Sequence, residues 1–190
     1  MSKSGIHIDP DRIKEISAVP LPHNKKAMQS FLGQINFVKR FVPHFSRIVS
    51  PLQVMIKKNS NFKWGQDEHE AFNLVKQAII SAPPLATPNF SDPFILYTFT
   101  SDRSYAAILT QANQEKAEAP IAFFSSNLQG AELNYSNVEK QAYVVFKEIK
   151  YFRPFLLKTH TKIRVSFPAV RNLLVQKEVG EKRANWVTTL

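Results

Sequence analysis

Residues 119–166 read APIAFFSSNLQGAELNYSNVEKQAYVVFKEIKYFRPFLLKTHTKIRVS, and the order of elements written in them decides the fold. APIAFFS (119–125) is apolar and aromatic, the composition of a strand with both faces largely covered. Asn137 to Leu157 carries apolar side chains at helical spacing and predicts one long helix, which Pro154 should kink or end early. TKIRVSF (161–167) returns to strand composition. A strand, a helix and a strand in that order predict a parallel pair, since only a long crossover can bring the chain back in the same direction. Just upstream, PFILYTFTS (93–101) and YAAILTQ (105–111) add two strands joined by short polar loops, which suits an antiparallel meander. The sum is an α/β chain with a mixed sheet.

Working further outward, Ala82–Pro88 (APPLATP) is the clearest boundary. Three prolines hold it extended and stiff. Everything before it reads as helix. Asp9-Pro10 supplies an N-cap and a first-turn proline for a helix over Asp11–Ile16, broken by Pro20 and Pro22. Met28, Phe31, Leu32, Ile35, Val38, Phe41 and Val42 keep the helical period, predicting a helix from Asn24 to Val42 that Pro43 stops. A further helix covers about Ser46–Lys58, although Pro51 moves its expected start to Ser50. Phe62-Lys63-Trp64 is short and extended, and Asp67-Glu68 open a helix over Gln66–Ser81. At the other end, Pro168–Gln176 reads as a short helix, and another begins at Glu181.

Composition narrows the chemistry. The 190 residues carry 25 Lys+Arg against 15 Asp+Glu, a net charge of +10. The charge is uneven: Lys25, Lys26, Lys39, Arg40, Arg47, Lys57, Lys58 and Lys63 lie in a stretch with no Asp or Glu. Such a block is either a solvated face or a surface that meets phosphates. The absence of Cys excludes disulfides, thiolate zinc sites and cysteine nucleophiles, and suits an intracellular setting, cytoplasmic or nuclear. MSKSGIHIDP has no apolar core of a secretory leader, and no apolar run is long enough to span a bilayer, so no membrane partner is expected. His7, His23, His44, His69 and His160 are scattered without ligand spacing. Gly33 and Gly130 stand alone, so no phosphate loop is present, and the Ser residues lack a nucleophile-elbow context. Phe123 and Phe124 read as sheet core rather than a base-stacking platform.

Five segments together resemble the pol polyprotein of gypsy-type LTR retrotransposons. They are GIHIDPDRIKEI (5–16), SFLGQINFVKRFVPHFSRIVSPL (30–52), FKWGQDEHEAFNLVKQAIISAPPLATPNFSDPFILYT (62–98), PIAFFSSNLQGAELNYSNVEKQ (120–141) and NLLVQK (172–177). The resemblance covers nearly the whole chain in the right order. It implies a helical segment similar to a reverse-transcriptase thumb or connection over 1–85. An RNase H-like mixed sheet with flanking helices follows over 90–190, C-terminally incomplete. The polymerase aspartates of the family are expected upstream of residue 1, so polymerisation is not expected of these residues alone.

RNase H chemistry uses clustered carboxylates to hold two magnesium ions about 3.5–4 Å apart. The resemblance implies an aspartate directly after the run PFILYT, where this chain has Phe99. Asp102, three positions on, is expected to face the other side of the strand. A glutamate at the head of the long helix is matched by Glu139, within Tyr135-Ser136-Asn137-Val138-Glu139. Ser136 and Glu139 also have the spacing of a capping box, and that is the role expected of Glu139. The aspartate that ends the fourth strand is replaced by Ser166, and the last acid is expected beyond Leu190. No catalytic residue, no metal site and no cofactor are therefore expected, with Mg²⁺ relevant only to a residual hybrid nuclease. The reading is a retrotransposon-derived pseudo-enzyme that binds RNA, DNA or hybrid duplex without sequence preference. Lys25, Lys26, Lys39, Arg40, Lys57 and Lys58 are its expected phosphate contacts. The alternative is a protein-interaction module, with a protein partner or a homodimer, in which Phe99 forms a contact patch or fills the former acid site.

Overall fold

The computed structural model describes residues 5–113, 116–166 and 170. The chain divides into two compact units, Met1–Leu85 and Ala86–Leu190. The division falls inside the proline-rich stretch.

The first unit is built from four helices, α1 (Pro10–Ala18), α2 (Lys25–Asn36), α3 (Phe45–Met55) and α4 (Gln66–Ile80). Asp9 caps α1, its carboxylate accepting the Asp11 N–H at 2.9 Å, and Pro10 fills the first turn where no N–H is needed. Asn24 caps α2 in the same way through the Ala27 N–H. Met28, Phe31 and Ile35 bury the inner stripe of α2, as Val49, Leu52 and Met55 do for α3 and Phe72, Val75 and Ile79 for α4. Trp64 closes one side of this core. Its ring stands edge-on to Phe72 and its indole N–H donates to the Pro22 carbonyl at 2.9 Å.

Two helix boundaries correct the sequence expectation. The helix from Asn24 does not reach Val42. It ends at Asn36, and a 3₁₀ turn at Lys39–Phe41 follows. The tighter turn stacks residues three apart, so Val38 and Phe41 both face the core. Helix α3 starts at Phe45, not Ser50, and carries Pro51 in its interior. That proline removes a hydrogen bond and crowds the preceding turn, costs of about 3 kcal/mol. Burial of Phe45 and Val49 ahead of it offsets them.

The ends of this unit meet at a short bridge, Ile6 N–H to Leu85 O at 2.6 Å and Leu85 N–H to Ile6 O at 2.9 Å. Gly5 is required beside it. Its φ is +73°, and a β-carbon there would sit 2.7 Å from the Leu85 carbonyl oxygen.

Among its described residues the second unit has a four-stranded sheet and one long helix. Its strands are β1 (Phe94–Thr100), β2 (Ser104–Ala112), β3 (Glu118–Asn127) and β4 (Thr161–Arg164), and α5 spans Asn137–Leu156. The spatial order is β3-β2-β1-β4, with β1–β2 and β2–β3 antiparallel and β1–β4 parallel. The meander and the crossover pair thus stand as expected, and the fold is the α/β mixed sheet. One face of the sheet packs Phe94, Leu96, Ala107, Leu109 and Ala122 against Phe152 of α5. Phe123 is buried and Phe124 half-buried, the latter stacked 4.0 Å from the Tyr151 ring, so both belong to the packing. Pro154 does not end α5 early, because it falls in the last turn, where only two further residues follow. β4 is shorter than expected and stops before Val165. The helix from Glu181 lies outside the described residues. So does the one over 168–176 apart from Val170, which is buried against Ala142.

Candidate nucleic-acid interface

Two regions carried the functional expectation, the head of α5 beside β1 and the basic block of the helical unit. At the first, Ser136 and Glu139 form the reciprocal capping box. The Ser136 N–H donates to Glu139 Oε2 at 3.1 Å, the Ser136 hydroxyl reaches the same oxygen at 2.8 Å, and the Glu139 N–H returns to Ser136 Oγ at 3.4 Å. Glu139 Oε2 is thus engaged at its own helix end.

The α5 side chain that reaches the end of β1 is Gln141, which the sequence reading missed. It is fully buried. Its amide N–H donates to Thr98 Oγ1 at 2.7 Å, and Thr100 Oγ1 donates to its carbonyl oxygen at 3.3 Å. These two threonines flank position 99. The signal was present in the helical period, since Gln141, Val145, Glu148 and Phe152 form one inward stripe.

The other positions are dispersed. Phe99 points away from the face that holds Thr98 and remains 42% exposed, so it does not fill a pocket beneath α5. Asp102 is not on a strand. It is exposed in the turn between β1 and β2, where its backbone carbonyl accepts from the buried Lys140 ammonium at 3.3 Å. Ser166 does not end a strand either. It lies exposed beyond the end of β4, because pairing with β1 stops at Tyr97–Arg164. Among the described residues, no three His, Asp or Glu side chains gather as a metal-holding group. A neutral amide, two hydroxyls and a nearby ammonium do not fit a pair of magnesium ions, which demand anionic oxygens.

The six basic candidates separate into two groups. The Lys25 ammonium donates to the Lys57 carbonyl at 2.8 Å, with the Lys58 carbonyl at 3.5 Å. This places the N-terminus of α2 against the chain leaving α3, and so gathers Lys25, Lys26, Lys57 and Lys58. A cation at those carbonyls also suits the negative end of α3. Lys39 and Arg40 lie past the other end of α2, about 18 Å away by helical rise. Among the described residues the ion pairs are Arg12–Glu15 and Lys14–Asp11, and none involves the six candidates. Lys26, Lys57 and Lys58 are exposed, while Lys39 and Arg40 are half-buried.

Residues 64–163 match the RNase H-like domain found in reverse transcriptase. The transposon Tf2-3 and Tf2-4 polyproteins of Schizosaccharomyces pombe are each 30% identical over 159 residues, 84% of this chain. The chain spans only 12% of their length. Among solved structures, foamy viral protease-reverse transcriptase in complex with double-stranded DNA superposes with a TM-score of 0.81 at 21% identity, over 98% of this chain and 34% of that one. The foamy viral enzyme in complex with RNA/DNA hybrid gives 0.79 at 22% identity, over 98% of this chain and 26% of that one. A matched segment of more than half the chain, with the same mixed sheet, places this protein in the family of RNase H-like domains found in reverse transcriptases.

Proposed function

We propose that this chain binds nucleic acid duplexes through phosphate contacts and does not cut them. The observation that carries the binding is the gathering of Lys25, Lys26, Lys57 and Lys58 at one end of the helical unit, unpaired with carboxylates among the described residues. Phosphate contacts of this kind are blind to sequence and weaken steeply with salt. The complexes of the foamy viral enzyme with double-stranded DNA and with hybrid support the same choice of ligand. What supports the reading without cutting is that the side chain reaching the end of β1 from α5 is the neutral amide of Gln141, and that Glu139 Oε2 is engaged in the helix cap.

Titration of a labelled RNA/DNA hybrid at rising salt tests the binding, and an affinity that stays flat sinks it. A gel assay of the same hybrid with Mg²⁺ or Mn²⁺ tests the second half. Cleavage that vanishes in Glu139→Ala overturns it.

A second reading rests on Phe99, an exposed ring at the end of β1. It makes the RNase H-like sheet a docking surface for a protein. A partner retained by the intact chain and lost by Phe99→Asp supports it.

A further inference from the structure

Phe37 is the most exposed large apolar side chain among the described residues, at 80%. It follows directly on α2, just before the 3₁₀ turn that carries Lys39 and Arg40. An aromatic ring this exposed contributes little burial to the core, and its surroundings say what it could meet.

Arg12 of α1 backs this ring. Its guanidinium carbon lies 5.9 Å from the ring centroid. The guanidinium is held in place from two sides, donating to Glu15 at 2.9 Å and to the Gln34 carbonyl at 3.3 Å. The ring thus rests on a fixed cation. The positive charge left for a ligand comes from Lys39 and Arg40, two and three residues on. Arg40 lies over the Phe41 ring at 5.6 Å, and its buried Nε has no hydrogen-bond partner among the described residues.

A flat apolar surface beside two cations suits a flat, apolar ligand that carries negative charge. A nucleotide with an unpaired base has that chemistry: the base stacks on the ring and its phosphates meet Lys39 and Arg40. We propose that Phe37, backed by Arg12, is a stacking platform for an unpaired base next to a duplex. This rests on the nucleic-acid reading above and deepens it. The lysines around Lys57 hold duplex phosphates, and Phe37 selects duplexes with a single-stranded tail. A continuous duplex keeps its bases stacked on each other and offers the ring only its blunt ends.

The test compares the wild type with Phe37→Ala and Phe37→Trp on two probes, a blunt DNA duplex and the same duplex with a short single-stranded tail containing 2-aminopurine. The wild type should bind the tailed probe more tightly and quench its fluorescence. Phe37→Ala should lose about tenfold on the tailed probe, lose the quench and leave blunt-duplex affinity unchanged, and Phe37→Trp should restore both losses. Thermal melts of both variants should match the wild type, since the ring contributes little burial. If Phe37→Ala binds and quenches like the wild type, the platform is wrong while the lysine surface stands. If the wild type binds neither probe at low salt, the nucleic-acid reading falls and the platform with it.

Discussion

Glu148 is the residue whose environment conflicts most with its chemistry. It sits on the inward stripe of α5, fully buried, and neither carboxylate oxygen has a hydrogen-bond partner among the described residues. Burial pushes its carboxyl well above the usual range, which favours the neutral form in the fold. Tyr105 of β2 lies near it, with a hydroxyl that burial also pushes up, and among the described residues no cation offsets either group. The sign of the linkage follows. Above about pH 4.3 the unfolded chain ionises this group while the folded chain keeps its proton. The unfolded state then binds fewer protons, and stability falls as pH rises, by up to about 1.4 kcal/mol per pH unit until the raised folded value is reached. Glu148→Met should therefore stabilise the protein at pH 7 by about 1–3 kcal/mol and flatten that slope. Urea unfolding between pH 5 and 8 measures it, and a wild-type stability that is level across this window refutes the assignment.

Elements in this chain are set as much by their neighbours as by their own residues. Lys76 of α4 shows how. Its ammonium donates to the Ser17 and Val19 carbonyls at the end of α1, at 2.9 and 2.5 Å, and lies 4.4 Å over the Phe72 ring. Burial lowers its pKa, yet the carbonyls at the negative end of α1 still favour the cation. Pro51 is the opposite case, a residue that works against its own helix. Pro51→Ala restores a backbone hydrogen bond and removes a clash worth about 3 kcal/mol, less the ~0.4–1 kcal/mol that proline contributes by stiffening the unfolded chain. The net expectation is a gain of about 2 kcal/mol, read as a higher denaturation midpoint with an unchanged slope. A loss of stability on this substitution means that the proline ring makes packing contacts worth more than the bond it forfeits.

For the whole molecule, the basic charge matters by its distribution more than by its sum of +10. The two groups of cations at opposite ends of α2 should contribute separately to binding of a duplex with a single-stranded tail. Each lysine that neutralises a phosphate adds about 0.9 to the slope of log affinity against log salt. Replacing Lys26, Lys57 and Lys58 together by alanine should lower that slope by about 2–3. Replacing Lys39 and Arg40 should lower it by 2 at most. Lys25 is left out because its ammonium also holds the Lys57 and Lys58 carbonyls, so its loss mixes stability with binding. Fluorescence anisotropy across a salt series separates the two groups, and equal slopes in all three proteins defeat the phosphate-contact assignment.

By itself the sequence determined the element order, the mixed sheet and the capping box of α5. These follow from local periodicity, proline placement and short-range spacing, which are written residue by residue. Phe99, directly after the run PFILYT, was equally legible, because it is a matter of identity at a position. Only the tertiary structure decided what the side chains meet. Gln141 acquires its importance from Thr98 and Thr100, some forty residues away, and the four lysines become a group only when Lys25 reaches the end of α3. The run from Asn24 to Val42 likewise breaks where Val38 and Phe41 must both enter the core, a demand that no helical period records. Contacts between distant segments depend on how helices and strands pack, and packing is a property of the assembled chain.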